Sequence, residues 1–82
     1  MKNTIALVTW EDTVTEDAWS NIQIARDMKP VLTRSVGFIL FKTKKKIVLA
    51  SMVSSNTHMC QLTCIPMGCV IEIKEQQGQK PG

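Results

Sequence analysis

Two apolar runs joined by a lysine turn constrain this chain most. They are Ser35-Val36-Gly37-Phe38-Ile39-Leu40-Phe41 and Ile47-Val48-Leu49-Ala50-Ser51-Met52-Val53, with Lys42-Thr43-Lys44-Lys45-Lys46 between them. Short runs rich in β-branched and aromatic residues, bounded by polar clusters, read as strands. The charged pentapeptide reads as a hairpin turn, although it lacks the Asn-Gly pair of the tightest loops. A polar stretch, Ser54-Ser55-Asn56-Thr57, is the next turn. The run from His58 to Ile65 is a further strand that breaks at Pro66, because proline cannot donate to a ladder. Pro66-Met67-Gly68 is then a tight turn, and a last short strand follows.

Period-2 alternation assigns faces. On the long strand Val31–Thr43, Leu32, Val36, Phe38 and Leu40 are expected on one side, with Ile39 and Phe41 on the other. Gly37 marks a bulge or sharp bend of the kind a small barrel needs to turn a corner. His58, Cys60, Leu62 and Cys64 share a face. Cys69, Ile71 and Ile73 are expected inward, and Val70, Glu72 and Lys74 outward.

Upstream, Thr4–Trp10 fits a buried strand, with Ala6, Val8 and Trp10 on one face and Ile5, Leu7 and Thr9 on the other. Thr13-Val14-Thr15-Glu16 has the form of a capping box and predicts a short helix from about Thr15 to Met28, stopped by Pro30. Glu16 and Asp17 would sit in its first turn, where the helix dipole favours them. Ser20, Asn21, Ile22 and Ile24 are weak helix formers, so an ordered loop with one helical turn is the alternative.

These elements predict a mainly β fold: a small, strongly bent, partly open barrel of about five strands, with one short helix after the first strand. Residues 1–75 form the single domain and 76–82 a polar tail. An 82-residue chain buries a thin core, so self-association would add burial. The net charge of +3 allows an anionic partner without demanding one. No apolar stretch reaches the roughly 18 residues of a membrane span, and the apolar run after Lys2 is too short for a signal-peptide core. Three cysteines, an odd count, point to reduced thiols in a cytoplasm.

Several chemistries lose ground. Cys60 and Cys64 would lie about 13 Å apart along a strand, and there is no close ligand pair, so no metal site is assigned; Cys64 and Cys69 are expected instead to be small core residues. His58 is the sole histidine, and no orienting group accompanies it beside Cys60, so no catalytic thiol is assigned. No phosphate loop, dinucleotide fingerprint or paired-carboxylate motif occurs, and no cofactor is implied. The reading is non-enzymatic. What remains is Trp10 and Trp19, which could stack on a base or anchor an interface, and the positive side chains Arg34, Lys44 and Lys46. RNA binding would usually add more exposed aromatics, so nucleic acid ranks lower.

Ile65-Pro66-Met67-Gly68-Cys69-Val70 is similar in spacing to the ending of SH3 domains, where a single 3₁₀ turn precedes the last strand. The two Phe fit the core and there is no Tyr, so the resemblance implies an SH3-like or Sm-like barrel shape rather than proline-rich peptide binding. The chain also looks like small uncharacterised bacteriophage proteins. That likeness rests on Trp10-Glu11-Asp12, Ser35-Val36-Gly37-Phe38-Ile39-Leu40, Ile47-Val48-Leu49-Ala50-Ser51 and the Ile-Pro-x-Gly-Cys-Val ending. It implies an accessory role in a host cytoplasm, in which some such proteins oligomerise and sequester nucleotide signals used in defence. The resulting expectation is a homo-oligomer holding a small anionic or nucleotide-like ligand through Trp10, Asp12, Trp19, Arg34, Lys44 and Lys46. The alternatives are an adaptor that blocks a host protein, or an Sm-like RNA binder.

Overall fold

A computed structural model describes residues 4–55 and 58–77. The second half of the expected Ser54–Thr57 turn, and residues 78–82 of the expected tail, lie outside the described residues. Five antiparallel strands form one sheet: β1 (Thr4–Asp12), β2 (Val31–Lys42), β3 (Lys46–Ser55), β4 (His58–Pro66) and β5 (Val70–Gln77). The strand order is β4-β3-β2-β1-β5, so β4 and β5 are edges and the sheet is not closed. A six-residue helix α1 (Ile22–Asp27) follows β1, and a 3₁₀ turn η1 (Met67–Cys69) separates β4 from β5. The mainly β fold with one short helix and a turn after Pro66 is therefore as the sequence predicts. Gln76 and Gln77, placed in the tail by composition, continue β5 opposite Ile5 and Thr4.

The sheet bends at one place. β2 pairs with β1 from Val31 to Phe38, and with β3 only from Phe38 onward. Gly37 sits at the handover. A Cβ built there would lie 2.8 Å from the Ala50 carbonyl oxygen and 3.1 Å from Leu49 Cβ. Only glycine lets the β3 backbone come this close. Past the bend, a register shift between Ile39 and Phe41 leaves Leu40 as an extra residue. Such a bulge deepens the local twist.

Residues directly opposite each other share a face. The inner face holds Ala6 and Val8 with their partners Gly37, Ser35 and Ile73, and beyond the bend it holds Ile47 opposite Ile65, with Leu49. Ala6, Val8, Ile47, Leu49 and Ile65 are the buried cluster, and Trp10, Ile39, Met67, Val70 and Ile73 pack against it. Full burial of one such aliphatic side chain stabilises by about 1.5–3 kcal/mol. This core is small, and the shape shows it: the radius of gyration is 16.3 Å, against about 12 Å for a compact domain of this length.

Other expectations need correction. The helix spans Ile22–Asp27 rather than Thr15–Met28, because Asn21 caps it, its side chain accepting from Ile24 N at 3.0 Å. The Thr13–Glu16 capping box does not form; Glu16 Oε1 instead accepts from Ala18 N at 3.2 Å. Val70 packs on the core and Ile71 is exposed, the reverse of the expected alternation, because a shift between Thr9 and Trp10 inserts Ile71 as an extra residue. Phe41 lies 64% exposed rather than in the core, because the Leu40 bulge pairs it with Val48 on the outer face.

Gly37→Ala should lower stability by about 1–3 kcal/mol, the cost of forced overpacking. Gly68→Ala, where an added Cβ meets nothing within 4 Å, should leave it nearly unchanged. Urea unfolding of both variants checks the pair, with the midpoint moving and the slope constant for Gly37→Ala.

Candidate functional site

The segment of residues 13–30 joins β1 to β2 as a projecting arm. All its residues are exposed, and α1 buries none of its own. Isolated helices of this length are marginal without a packing surface, and α1 is held by its caps: Asn21 at the start, and the Met28 N–H donating to the Ala25 carbonyl at the end. Trp19 stands before α1 at 101% exposure, and Ile22, the first residue of α1, is 71% exposed. Val14, Met28 and Pro30, with Thr13 and Lys29, line a shallow concavity of about 250 Å³ at the base of the arm.

Trp10 is a different kind of residue. Its ring packs against the buried cluster, and its indole N–H donates to Ser35 Oγ at 3.0 Å across β1 and β2. The Ser35 partner was legible only from the register, which places Ser35 beside Thr33, the residue opposite Trp10. Asp12 ends β1, where its carboxylate accepts from Thr13 N at 2.8 Å and shapes the entry to the arm. Arg34 lies opposite Thr9, one position from the Trp10–Thr33 pair, and therefore projects from the other face of the sheet.

The lysine turn is at the far end. β2 runs from Arg34 to Lys42 over eight residues, about 26 Å along the strand. Thr43 organises this tip. Its Oγ1 accepts from Lys45 N at 3.1 Å and Lys46 N at 3.2 Å, and its N–H donates to the Lys46 carbonyl at 2.9 Å. The Met67 N–H donates to the Lys45 carbonyl at 2.9 Å and ties η1 to the turn. Lys42 reaches across the inner face to Glu75 at 2.7 Å. Lys44, Lys45 and Lys46 enter no ion pair among the described residues.

The chain thus brings Trp10, Asp12 and Arg34 to one end, with Trp10 and Arg34 on opposite faces. Trp19 extends from that end on the arm, and Lys44 and Lys46 occupy the other. Cys60 and Cys64 are exposed and Cys69 is half-buried, so the expectation of Cys64 as a core residue is corrected. The reason is that Cys64 pairs with Val48 on the outer face. Among the described residues no three His, Cys, Asp or Glu side chains cluster as metal ligands, and no helix is long and apolar enough to cross a membrane. No protein-family model, curated protein or solved structure matches this chain.

Trp10→Phe removes the indole donor and strands the half-buried Ser35 hydroxyl. It should cost about 0.5–1.5 kcal/mol. In a double-mutant cycle with Ser35→Ala, read by thermal unfolding, the two losses should fall short of additive.

Proposed function

We propose that this chain is a non-enzymatic binding protein whose recognition element is the 13–30 arm and whose ligand is another protein. The observation that carries this is Trp19, an indole left wholly in solvent, on an arm where Ile22 is also exposed. Large apolar side chains on an element that packs on nothing of its own are costly to leave in water. Tryptophan is the residue type most enriched among energetically dominant interface positions. An exposed arm with Trp19, Ile22 and Ile24 uncovered on and beside a capped turn of helix offers apolar anchors to a hydrophobic groove on the partner. The role is that of an adaptor or inhibitor.

Trp19→Ala should leave the melting temperature essentially unchanged, since exposed substitutions stay within about 0.5 kcal/mol. It should also weaken partner capture by about tenfold or more. Affinity purification with wild type and variant side by side reads this. An unchanged set of captured proteins would sink the assignment.

The second reading is a small anionic or nucleotide-like ligand held between copies, in a phage-type accessory role. What favours it is the Thr43-ordered tip, where three lysines stand without an acidic partner among the described residues. Because Trp19 and this tip lie at opposite ends of one protomer, such a site needs the arm of one copy beside the tip of another. Native mass spectrometry with a nucleotide mixture should then show a nucleotide-sized adduct on an oligomer, lost on Lys44→Ala/Lys46→Ala. Uptake on a bare monomer would contradict the shared site.

A further inference from the structure

The two edges of the sheet are unlike. β5 carries Glu72, Lys74 and Glu75, charges of the kind that keep an edge from pairing with another chain. The stretch of β2 before Phe38, with which β3 does not pair, carries Arg34. β4 carries no Asp, Glu, Lys or Arg along its nine residues, and its proline is the last of them. Among the described residues β3 is its only ladder partner. Gln61 and Thr63 on one face are exposed, and so are Cys60, Leu62 and Cys64 on the other, so neither face of the strand is covered. The free side of β4 is therefore a long, unguarded row of backbone donors and acceptors.

Such a row selects its occupant, because an extended strand is what satisfies it. We infer that the occupant is β4 of a second copy, paired antiparallel about a two-fold axis at Leu62, which joins two five-stranded sheets into one. The strand suits its own reverse. With Leu62 opposite its copy, Cys60 faces the partner's Cys64 on the outer side, and Met59 faces the partner's Ile65 on the inner side. No register of this strand against itself opposes like charges. The axis stands perpendicular to the sheet, so both inner faces stay on one side. Half-buried Met59 then continues the apolar row that ends, in one copy, at the buried Ile65. Gln61 is the one described non-glycine residue in the left-handed region, with φ of 55°. The β3 register is the same on both sides of it, Met52 opposite Cys60 and Ala50 opposite Leu62, so it interrupts the edge without shifting it.

The arm takes no part in this pairing, and the tests are made on the full chain. Analytical ultracentrifugation should show a monomer–dimer equilibrium whose dimer is about twice 9.2 kDa. An interface this narrow should dissociate in about the micromolar range or above. Leu62→Lys sets two ammonium groups face to face on the axis, and Leu62→Glu two carboxylates. Each should weaken dimerisation about tenfold or more, and an equimolar mixture of the two should restore a dimer containing one of each. Leu62 is 59% exposed, so both variants should keep the fold, as read by circular dichroism. Opposed Cα atoms in an antiparallel pair lie about 4.5–5.5 Å apart, within disulfide reach. Copper–phenanthroline oxidation of wild type should therefore give a covalent dimer, and Cys60→Ser or Cys64→Ser should each abolish it. A wild-type chain that stays monomeric up to about 1 mM overturns the inference. So does a covalent dimer that persists in either serine variant, or a dimer that the mixed lysine and glutamate variants fail to restore. Trp19→Ala should leave the dimer intact; a dimer lost there overturns the β4 pairing and places self-association on the arm.

Discussion

The close approach of the β3 backbone to Gly37 is the contact on which the rest of the structure depends. At that point Ala50 O occupies space that a side chain on β2 would claim. The approach lets β2 turn from β1 toward β3, and the turn brings Ile47 and Ile65 over Ala6 and Val8. Without it, the two halves of the sheet would lie flat and the inner cluster would have no second wall. The Lys42–Glu75 pair ties the end of β2 to the β5 edge strand. It is about 40% exposed on both sides, so its stabilisation is modest, on the order of 0–1 kcal/mol. Bending and burial, rather than ion pairing, hold the sheet.

The bend also limits what one chain can cover. β2 changes partners at Phe38, so β3 and β4 run on past it and the molecule is long, 57 × 23 × 22 Å. A single curved sheet can close over one face only. Its other face is built from the same β-rich sequence and is just as apolar along β3. The arm emerges at the β1–β2 end with no surface of its own to lie on. Both features follow from one cause: 82 residues with this many apolar side chains have too little inside to hold them.

The aromatic and basic residues divide along the same lines. Trp10 is part of the fold through Ser35 and the inner cluster, whereas Trp19 touches nothing that would bury it. The lysines are held at a tip that Thr43 and Met67 make orderly. Aromatic and cationic groups are therefore both available, at opposite ends of a long molecule. A ligand needing both would have to be shared between protomers.

Much of the architecture was legible from local pattern. β-branched runs, the lysine turn and Pro66 determined five strands and the place of the last kink, because strand propensity and the missing proline donor act locally. Asn21 was also a readable signal, an N-cap residue three before Ile24, but the Thr13–Glu16 box competed with it and only tertiary context rejects that box: no core lies beside residues 15–21 for a longer helix to pack on. Face assignment failed wherever the ladder gained a residue, at Leu40 and at Ile71. A bulge reverses the period-2 pattern beyond it, and it arises from the partner strand's position, which composition does not contain. Thus the sequence by itself determined which segments are strands and that the core would be thin. The tertiary structure alone decided which side chains are left outside, because that depends on where the sheet bends and which of its faces the bend encloses.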